Sequence, residues 1–297
     1  MIRSAAWGMT RLLASRLPAP ALLASQRRST SDRIPGGRSE NPLDSIPLLA
    51  PSHQAVDWSQ MRSRQRFASG VAFSLEDRFA LIGMTRTGKT TVARQIVRKF
   101  AQSYPGLRIH IFDPKDVGDY DGIMRGLAGA SSLPIYHIRS KQPPDVLRQP
   151  GILIWHPKGS GFEDMERFFR ALADDPEPSL TVIDETRRLS RRMGDGTSYP
   201  LSVATLMQEG AGNLHAVMVL LQEIAGTARQ FMGQSTHVLR FRLENAYDER
   251  ATERRFARAR RAGRITNEEP SHWHGFFHSR VDALDQAREY SSWQNFI

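Results

Sequence analysis

The chain has 297 residues, no cysteine, 40% hydrophobic residues and a formal net charge of +10. This length holds one large or two small domains with a real core, and we expect one domain with extensions. The lack of cysteine excludes disulfides, thiolate metal sites and cysteine nucleophiles. No stretch approaches the roughly 18 consecutive apolar residues of a membrane-spanning helix, so integral membrane insertion is not expected.

Two arginine-rich segments account for the positive charge. Residues 1–40 hold seven Arg and two acidic residues, and residues 250–264 hold seven Arg and one acidic residue, Glu253. The rest of the chain is close to neutral. Basic segments on a neutral core favour contact with a polyanion, most simply DNA. For residues 250–264, a subunit interface or a solvated helix face is the alternative interpretation.

The first 74 residues are predicted to lie outside the main domain. Residues 1–40 have the composition of a mitochondrial presequence, but we favour a disordered basic arm or a start codon placed upstream of the true one. We therefore expect a cytoplasmic location, in a host or infected cell or associated with a virion, with the mitochondrion as a minor alternative. Residues 41–74 contain Pro42, Pro47 and Pro51 and are predicted to be a linker.

From residue 75 onward, strand and helix patterns alternate, which predicts an α/β fold with a mostly parallel central sheet flanked by helices. One helix is predicted to begin near Lys89, and two more are predicted at 163–172 and 201–208. The alternating segment 238–243 is predicted to be an edge strand, and a last strand is expected at Phe276-Phe277. The other predicted strands cover 79–82, 107–112, 134–138, 151–155, 180–183 and 216–221.

Residues 83–90 read Gly-Met-Thr-Arg-Thr-Gly-Lys-Thr and match the phosphate-binding (Walker A) pattern G-x-x-x-x-G-K-[ST] directly after a predicted strand. Two glycines allow the backbone N–H groups to converge on phosphate oxygens. Lys89 is placed to neutralise the β- and γ-phosphates, and the Thr90 hydroxyl to bind Mg²⁺. We expect ATP to contact Gly83, Met84, Thr85, Arg86, Thr87, Gly88, Lys89, Thr90 and Thr91.

The strand at 180–183 ends in Asp184-Glu185, the arrangement expected of a Walker B strand. Asp184 is expected to hold Mg²⁺, and Glu185 to polarise the attacking water. The next strand ends in Gln222, which is interpreted as a catalytic sensor of the γ-phosphate, with a strand-capping amide as the alternative. Near the C-terminus, His272, His274 and His278 lie among aromatic residues, which favours a packed strand over a metal site.

These motifs, in this order, resemble the FtsK/HerA superfamily of DNA-pumping ATPases over about residues 75–280. Further similar segments are Asp113-Pro114-Lys115, Gln208-Glu209-Gly210 and the stretch from Arg229 to Asp248. The resemblance implies the additional-strand, catalytic-glutamate type of P-loop NTPase and a homo-oligomeric ring, expected to be a hexamer. It also implies an arginine that acts on the neighbouring subunit's nucleotide, for which Arg229, Arg187 and Arg188 are the candidates, in that order.

The chain departs from the superfamily where Gly210-Ala211 replaces the usual Gly-Arg and Gln222-Glu223-Ile224 replaces Gln-Arg-Pro. Its short ATPase region resembles the genome-packaging ATPases of tailless, membrane-containing viruses, which implies portal or capsid partners. The expected function is a Mg²⁺-dependent ATPase that translocates DNA in viral genome packaging. The alternatives are a conjugation or filamentous-phage export ATPase, and a P-loop NTPase that acts on protein partners without nucleic acid.

Overall fold

The computed structural model describes residues 61–123, 133–189, 191–193, 196–222, 228–244 and 246–297. A nine-stranded sheet runs through these residues in the order β13-β12-β11-β3-β10-β7-β4-β6-β5. The seven strands from β11 to β5 are parallel, and β12 and β13 add an antiparallel edge. The strands of the sheet are β3 Arg78–Ile82, β4 Arg108–Phe112, β5 Ile135–Arg139, β6 Gly151–His156, β7 Ser179–Ile183, β10 His215–Leu221, β11 His237–Arg240, β12 Phe276–Arg280 and β13 Arg288–Tyr290.

Helices connect the parallel strands. They are α1 Lys89–Ser103, α2 Phe162–Ala173, α3 Leu201–Glu209, α4 Ala228–Gln234 and α5 Ala246–Arg261. Two short antiparallel strand pairs lie outside this sheet: the hairpin of β1 Gln65–Arg66 with β2 Ala72–Phe73, and the pair of β8 Arg191–Met193 with β9 Gly196–Ser198. In the described part of the chain, no helix is long and apolar enough to cross a membrane.

Hydrophobic periodicity explains where these elements lie. In α1 the side chains of Val92, Ile96 and Phe100 recur at intervals of four residues and are fully or almost fully buried against the sheet. The central strands β7 and β10 are buried at every position, as expected for parallel strands covered on both faces. The predicted fold class is confirmed, and β10 is the additional strand between β3 and β7.

The start of the domain differs from the prediction. Phe67 and Phe73 stack with their ring centroids 4.2 Å apart, and both are buried in the core. Phe296 packs on Phe67 from the other end of the chain, with a centroid distance of 4.8 Å. Residues 65–73, which were assigned to the predicted linker 41–74, therefore belong to the folded domain, because the hydrophobic residues of the β1–β2 hairpin complete the core.

The prediction of an edge strand at 238–243 was wrong. The strand β11 ends at Arg240 and lies inside the sheet, paired with β3 on one side and β12 on the other. The Arg240 side chain is 2% exposed and forms a 3.1 Å ion pair with Glu269. Its guanidinium also lies 5.6 Å from the ring centroid of Phe277. A paired arginine thus occupies a buried strand position, which sequence alternation does not distinguish from an exposed one.

A buried histidine in β4 gives the fold a testable pH dependence. His110 is completely buried, and burial, together with the nearby Arg108, lowers its pKa to about 3. Below about pH 6.5 the unfolded chain binds a proton at this residue that the folded chain does not. Acidification therefore lowers the free energy of unfolding of the wild-type protein. We expect His110→Leu to remove about 1 kcal/mol of this loss per pH unit between pH 6.5 and 5.

Urea unfolding of both proteins at several pH values measures this difference. His272 is exposed, so His272→Leu is a matched control that should keep the wild-type slope. Parallel stability curves for wild type and His110→Leu would show that His110 is not held neutral in the folded protein.

Candidate nucleotide-binding site

The predicted functional residues meet at one edge of the sheet. Strands β3, β10, β7 and β4 are neighbours and parallel, so their carboxyl ends lie at the same edge. The phosphate-binding loop follows β3, Gln222 follows β10, Asp184 and Glu185 follow β7, and Lys115 lies shortly after β4. This edge, outside the carboxyl ends of the strands, is where open α/β sheets bind ligands.

The first two loop residues attach the loop to the sheet. The N–H of Gly83 donates to the Leu221 carbonyl at 3.1 Å, and the N–H of Met84 donates to the Arg242 carbonyl at 2.8 Å. A Cβ at position 83 would lie 2.6 Å from the Cβ of Phe241, so only glycine allows this approach. The predicted contacts of Gly83 and Met84 with phosphate therefore do not use their N–H groups, which are already bonded.

The second half of the loop has the features of an anion site. Gly88 has a φ of 97°, a left-handed conformation that favours glycine, and no side chain caps the start of α1. The first turn of α1 contains no acidic residue. The N–H groups of a first helical turn have no partner within the helix and carry partial positive charge. This end of α1 therefore fits a phosphate group.

Lys89 points back into the loop. Its Nζ donates to the carbonyl oxygens of Gly83 and Met84, both at 2.6 Å. Burial, with repulsion from the ammonium of Lys115, lowers the pKa of Lys89 to about 8. A buried ammonium that rests on two neutral carbonyl groups gains a stronger partner when a phosphate oxygen arrives.

The hydroxyl of Thr90 and the carboxylate of Asp184 lie together. Thr90 Oγ1 is 3.4 Å from Asp184 Oδ2, which also accepts a 3.0 Å hydrogen bond from the Tyr120 hydroxyl. Burial raises the pKa of Asp184, and the charge of Lys115 opposes this shift. A hydroxyl and a carboxylate oxygen are ligands that Mg²⁺ prefers, so these residues fit the metal predicted for them. When bound, Mg²⁺ would neutralise charge on the phosphates.

Glu185 is held between two polar side chains. Lys115 Nζ lies 3.3 Å from Glu185 Oε2 and 3.4 Å from Asp184 Oδ1, so it bridges the two carboxylates. Gln222 Nε2 donates to Glu185 Oε1 at 3.4 Å. Burial alone would lower the pKa of Lys115, but the two negative charges raise it. Glu185 also has a φ of 60°, a rare conformation for a non-glycine residue, which indicates that its surroundings fix its direction.

The other predicted residues have varied places. Thr85, Arg86 and Thr91 are exposed around the loop, whereas the Thr87 hydroxyl donates inward to the Met84 carbonyl at 2.9 Å. Arg187, Arg188 and Arg229 have side chains outside the described part of the structure, so their predicted action in trans stays a prediction.

Two contributors to the site were not assigned a role from sequence. From sequence, Lys115 was noted only as part of Asp113-Pro114-Lys115. Its position just after β4 points to the site only when the strand order, with β4 next to β7, is known. Tyr120 lies in a turn region with no motif of its own. Its hydroxyl is buried against Asp184, and burial together with that carboxylate raises its pKa well above the usual value.

The basic segment 250–264 is only partly available to a ligand. Arg255 donates to the carbonyl oxygens of Met232 and Ser235 at 2.7 and 2.6 Å, so it attaches α5 to α4. Arg260 pairs with Glu253 at 3.1 Å. The arginines that are exposed at intervals of three and four residues on α5 are Arg250, Arg254, Arg258 and Arg261. They form one stripe along the helix.

Comparison with known proteins identifies the fold. The sequence matches no protein-family model, and no curated protein matches it. Among solved structures, the chain is similar to the genome packaging NTPase B204 of Sulfolobus turreted icosahedral virus 2 in complex with AMPPCP, with a TM-score of 0.52, 10% identity, and coverage of 74% of this chain and 100% of B204. The AMP complex of the same protein gives a TM-score of 0.53 at 12% identity, covering 74% of this chain and 99% of that one.

A second virus provides a similar structure. B204, the DNA-packaging ATPase of Sulfolobus turreted icosahedral virus, matches with a TM-score of 0.50 and 11% identity, over 73% of this chain and 98% of B204. At this level of identity the likeness shows the fold alone. The shared fold is the α/β fold of the B204 NTPases, and it agrees with the mostly parallel sheet flanked by helices that the sequence predicted.

Proposed function

We propose that this chain is a Mg²⁺-dependent ATPase that couples ATP hydrolysis to the movement of DNA, in the packaging of a viral genome. The observation that carries the proposal is the meeting of Lys89, Asp184 and Glu185 at one edge of the sheet, with Glu185 turned toward Gln222 by a left-handed backbone. These are the groups that phosphoryl transfer to water needs: a cation for the phosphates, a metal ligand and a base.

In the proposed reaction each residue has one role. Lys89 leaves the loop carbonyls and binds the β- and γ-phosphate oxygens. The carboxylate of Glu185 accepts a hydrogen bond from the attacking water and takes its proton as the bond from the water oxygen to the γ-phosphorus forms. The bond between the γ-phosphorus and the β–γ bridging oxygen breaks, and ADP leaves with that oxygen. Gln222 donates a hydrogen bond to the other oxygen of the same carboxylate. It acts as the sensor of the γ-phosphate at the end of β10. Lys115 pairs with the carboxylates of both Asp184 and Glu185, so its positive charge reduces the repulsion between them.

The proposal includes DNA and a ring. The exposed arginines of the α5 stripe lie along one face of the helix. Their positive charges can therefore contact successive phosphates of DNA. A homo-oligomeric ring, proposed to be a hexamer, would let Arg229 reach the γ-phosphate of the neighbouring subunit. Capsid or portal-vertex proteins are the proposed partners, in the cytoplasm of an infected cell or at the virion. The similar fold of the B204 packaging ATPase, whose whole length or nearly so aligns with this chain, supports this choice among DNA motors.

ATP hydrolysis by the full chain, measured with and without double-stranded DNA, tests the function. We expect DNA to stimulate the rate several-fold, and the triple variant Arg254→Ala, Arg258→Ala, Arg261→Ala to lose most of this stimulation. Each lost phosphate contact should also reduce the slope of log affinity against log salt by about 0.9. The control removes three exposed charges elsewhere, in Arg148→Ala, Lys158→Ala, Arg167→Ala, and should behave as wild type.

The possible outcomes separate the proposed roles. A hydrolysis rate that no nucleic acid changes would replace the motor by an NTPase that acts on protein partners. Stimulation that survives in the triple variant with an unchanged salt slope would keep the motor but assign the α5 stripe to another surface.

A further inference from the structure

A segment near the C-terminus crosses the phosphate-binding loop on the side that the proposed chemistry does not use. The indole Nε1 of Trp273 donates to the Arg86 carbonyl at 3.1 Å, across 187 residues of sequence. The imidazole of His274 lies beside Gly88, with its Nδ1 3.4 Å from the place where a Cβ would stand. Trp273 therefore contacts the loop and His274 lies next to it, although no step of hydrolysis requires either side chain.

The strand order places these side chains opposite the catalytic carboxylates. Asp184 and Glu185 follow β7, which is two strands from β3, and Trp273 and His274 precede β12, which is two strands from β3 in the other direction. With neighbouring strands about 4.8 Å apart, β7 and β12 lie roughly 10 Å to either side of β3, and their side chains reach the loop from opposite sides. A nucleotide whose γ-phosphate lies at Lys89 and Asp184 therefore extends its α-phosphate, ribose and base toward Trp273.

The indole ring is held in place but not covered. Arg242 lies with its guanidinium carbon 5.4 Å from the ring centroid, and Arg242 in turn donates to the Pro270 carbonyl at 3.3 Å. The Arg242 carbonyl also accepts the N–H of Met84, so the same residue holds both the ring and the start of the loop. Yet 47% of Trp273 is exposed. An oriented aromatic ring loses little conformational entropy when a flat ligand stacks on it.

We propose that Trp273, with His274 beside it, is the platform for the base of the bound nucleotide, and that the purine ring of ATP stacks on the exposed part of the indole. The proposal rests on the proposed binding of ATP at residues 83–90. Stacking engages the face of a base and not its hydrogen-bonding edge, so the platform accepts adenine and guanine alike. It distinguishes a nucleotide from a bare triphosphate, because only the nucleotide has a ring to stack.

Isothermal titration calorimetry of the full chain with Mg²⁺ and either ATP or inorganic tripolyphosphate tests this platform. Because base–aromatic stacking contributes enough for about a tenfold change in affinity, Trp273→Leu should weaken ATP binding about tenfold. Tripolyphosphate should bind this variant within about twofold of wild type, since it cannot stack. Trp273→Phe keeps a ring but removes the N–H, so it should retain most of the ATP affinity.

Each other result has a definite meaning. Equal losses for ATP and tripolyphosphate in Trp273→Leu would show that Trp273 only supports the loop through the Arg86 carbonyl, which overturns the platform. Unchanged ATP affinity would place the base elsewhere and overturn it too. If the wild-type chain binds neither ATP nor tripolyphosphate, the proposed function and the platform are both overturned. If Lys89→Ala abolishes binding of both ligands and Trp273→Leu weakens neither, phosphate binding at the loop is upheld and the platform is overturned.

Discussion

Glu185→Gln is expected to lower the rate constant of ATP hydrolysis by at least about 100-fold, because a general base contributes roughly that much or more and an amide cannot accept the proton. ATP affinity should change little, since Lys89 and Asp184 are intact. Glutamine has almost the same size and can still accept the hydrogen bond that Gln222 donates to Glu185 at 3.4 Å. A phosphate-release assay gives the rate constant, and calorimetry gives the affinity.

The neighbouring amide provides the matched control for that change. Gln222→Glu places a carboxyl group beside the carboxylate of Glu185 without removing the base, so activity should fall less than in Glu185→Gln and recover toward lower pH. If Glu185→Gln hydrolyses ATP at the wild-type rate, the water is polarised by another group, and the left-handed backbone at residue 185 has a structural origin alone.

Lys89→Ala is expected to weaken ATP binding by about 100-fold or more. Two charge-assisted hydrogen bonds to phosphate oxygens are each worth about 1.5–3 kcal/mol, and 1.4 kcal/mol corresponds to a factor of ten in affinity. The side chain is buried and its pKa is lowered to about 8, so its loss removes a charge that folding does not favour. The variant should therefore stay folded, which circular dichroism and a thermal melt would check alongside calorimetry with ATP.

A lysine in the same helix serves as the comparison. Lys99 lies in α1 and is partly exposed, so Lys99→Ala removes the same charge without touching the loop and should bind ATP as wild type does. Equal weakening in both variants would indicate a general charge effect on a polyanionic ligand. Unchanged binding in Lys89→Ala would contradict the assignment of residues 83–90 to the nucleotide.

Parts of this site that depend on local pattern were predictable from sequence. Lys89 is specified by spacing within eight residues, and Asp184 by an apolar run that ends in a carboxylate. The strands followed from buried hydrophobic runs, since parallel strands covered on both faces cannot carry many polar residues. Each of these signals lies within a single strand or helix and the turn next to it, so it can be read without knowing the tertiary structure.

Features that depend on distant contacts were not predictable. The place of Trp273 beside Arg86 requires knowing that β12 lies two strands from β3, which no local pattern encodes. Lys115 joins Asp184 and Glu185 only because β4 and β7 are neighbours. Arg240 is buried because Glu269 and Phe277 come from later in the chain to meet it. Each of these positions looks like an ordinary surface residue until the tertiary partner is known.

The contact between the two ends of the described domain constrains how the chain folds during synthesis. The Phe296 and Ile297 carbonyls accept hydrogen bonds from Ser69 and Ala68, and the ring of Phe296 completes the cluster of Phe67 and Phe73. These partners are separated by nearly the whole domain, so closing the loop between them is slow and comes late. Phe296 must therefore leave the ribosome before the β1–β2 hairpin can make these contacts, and until then the aromatic cluster of the nascent chain is incomplete.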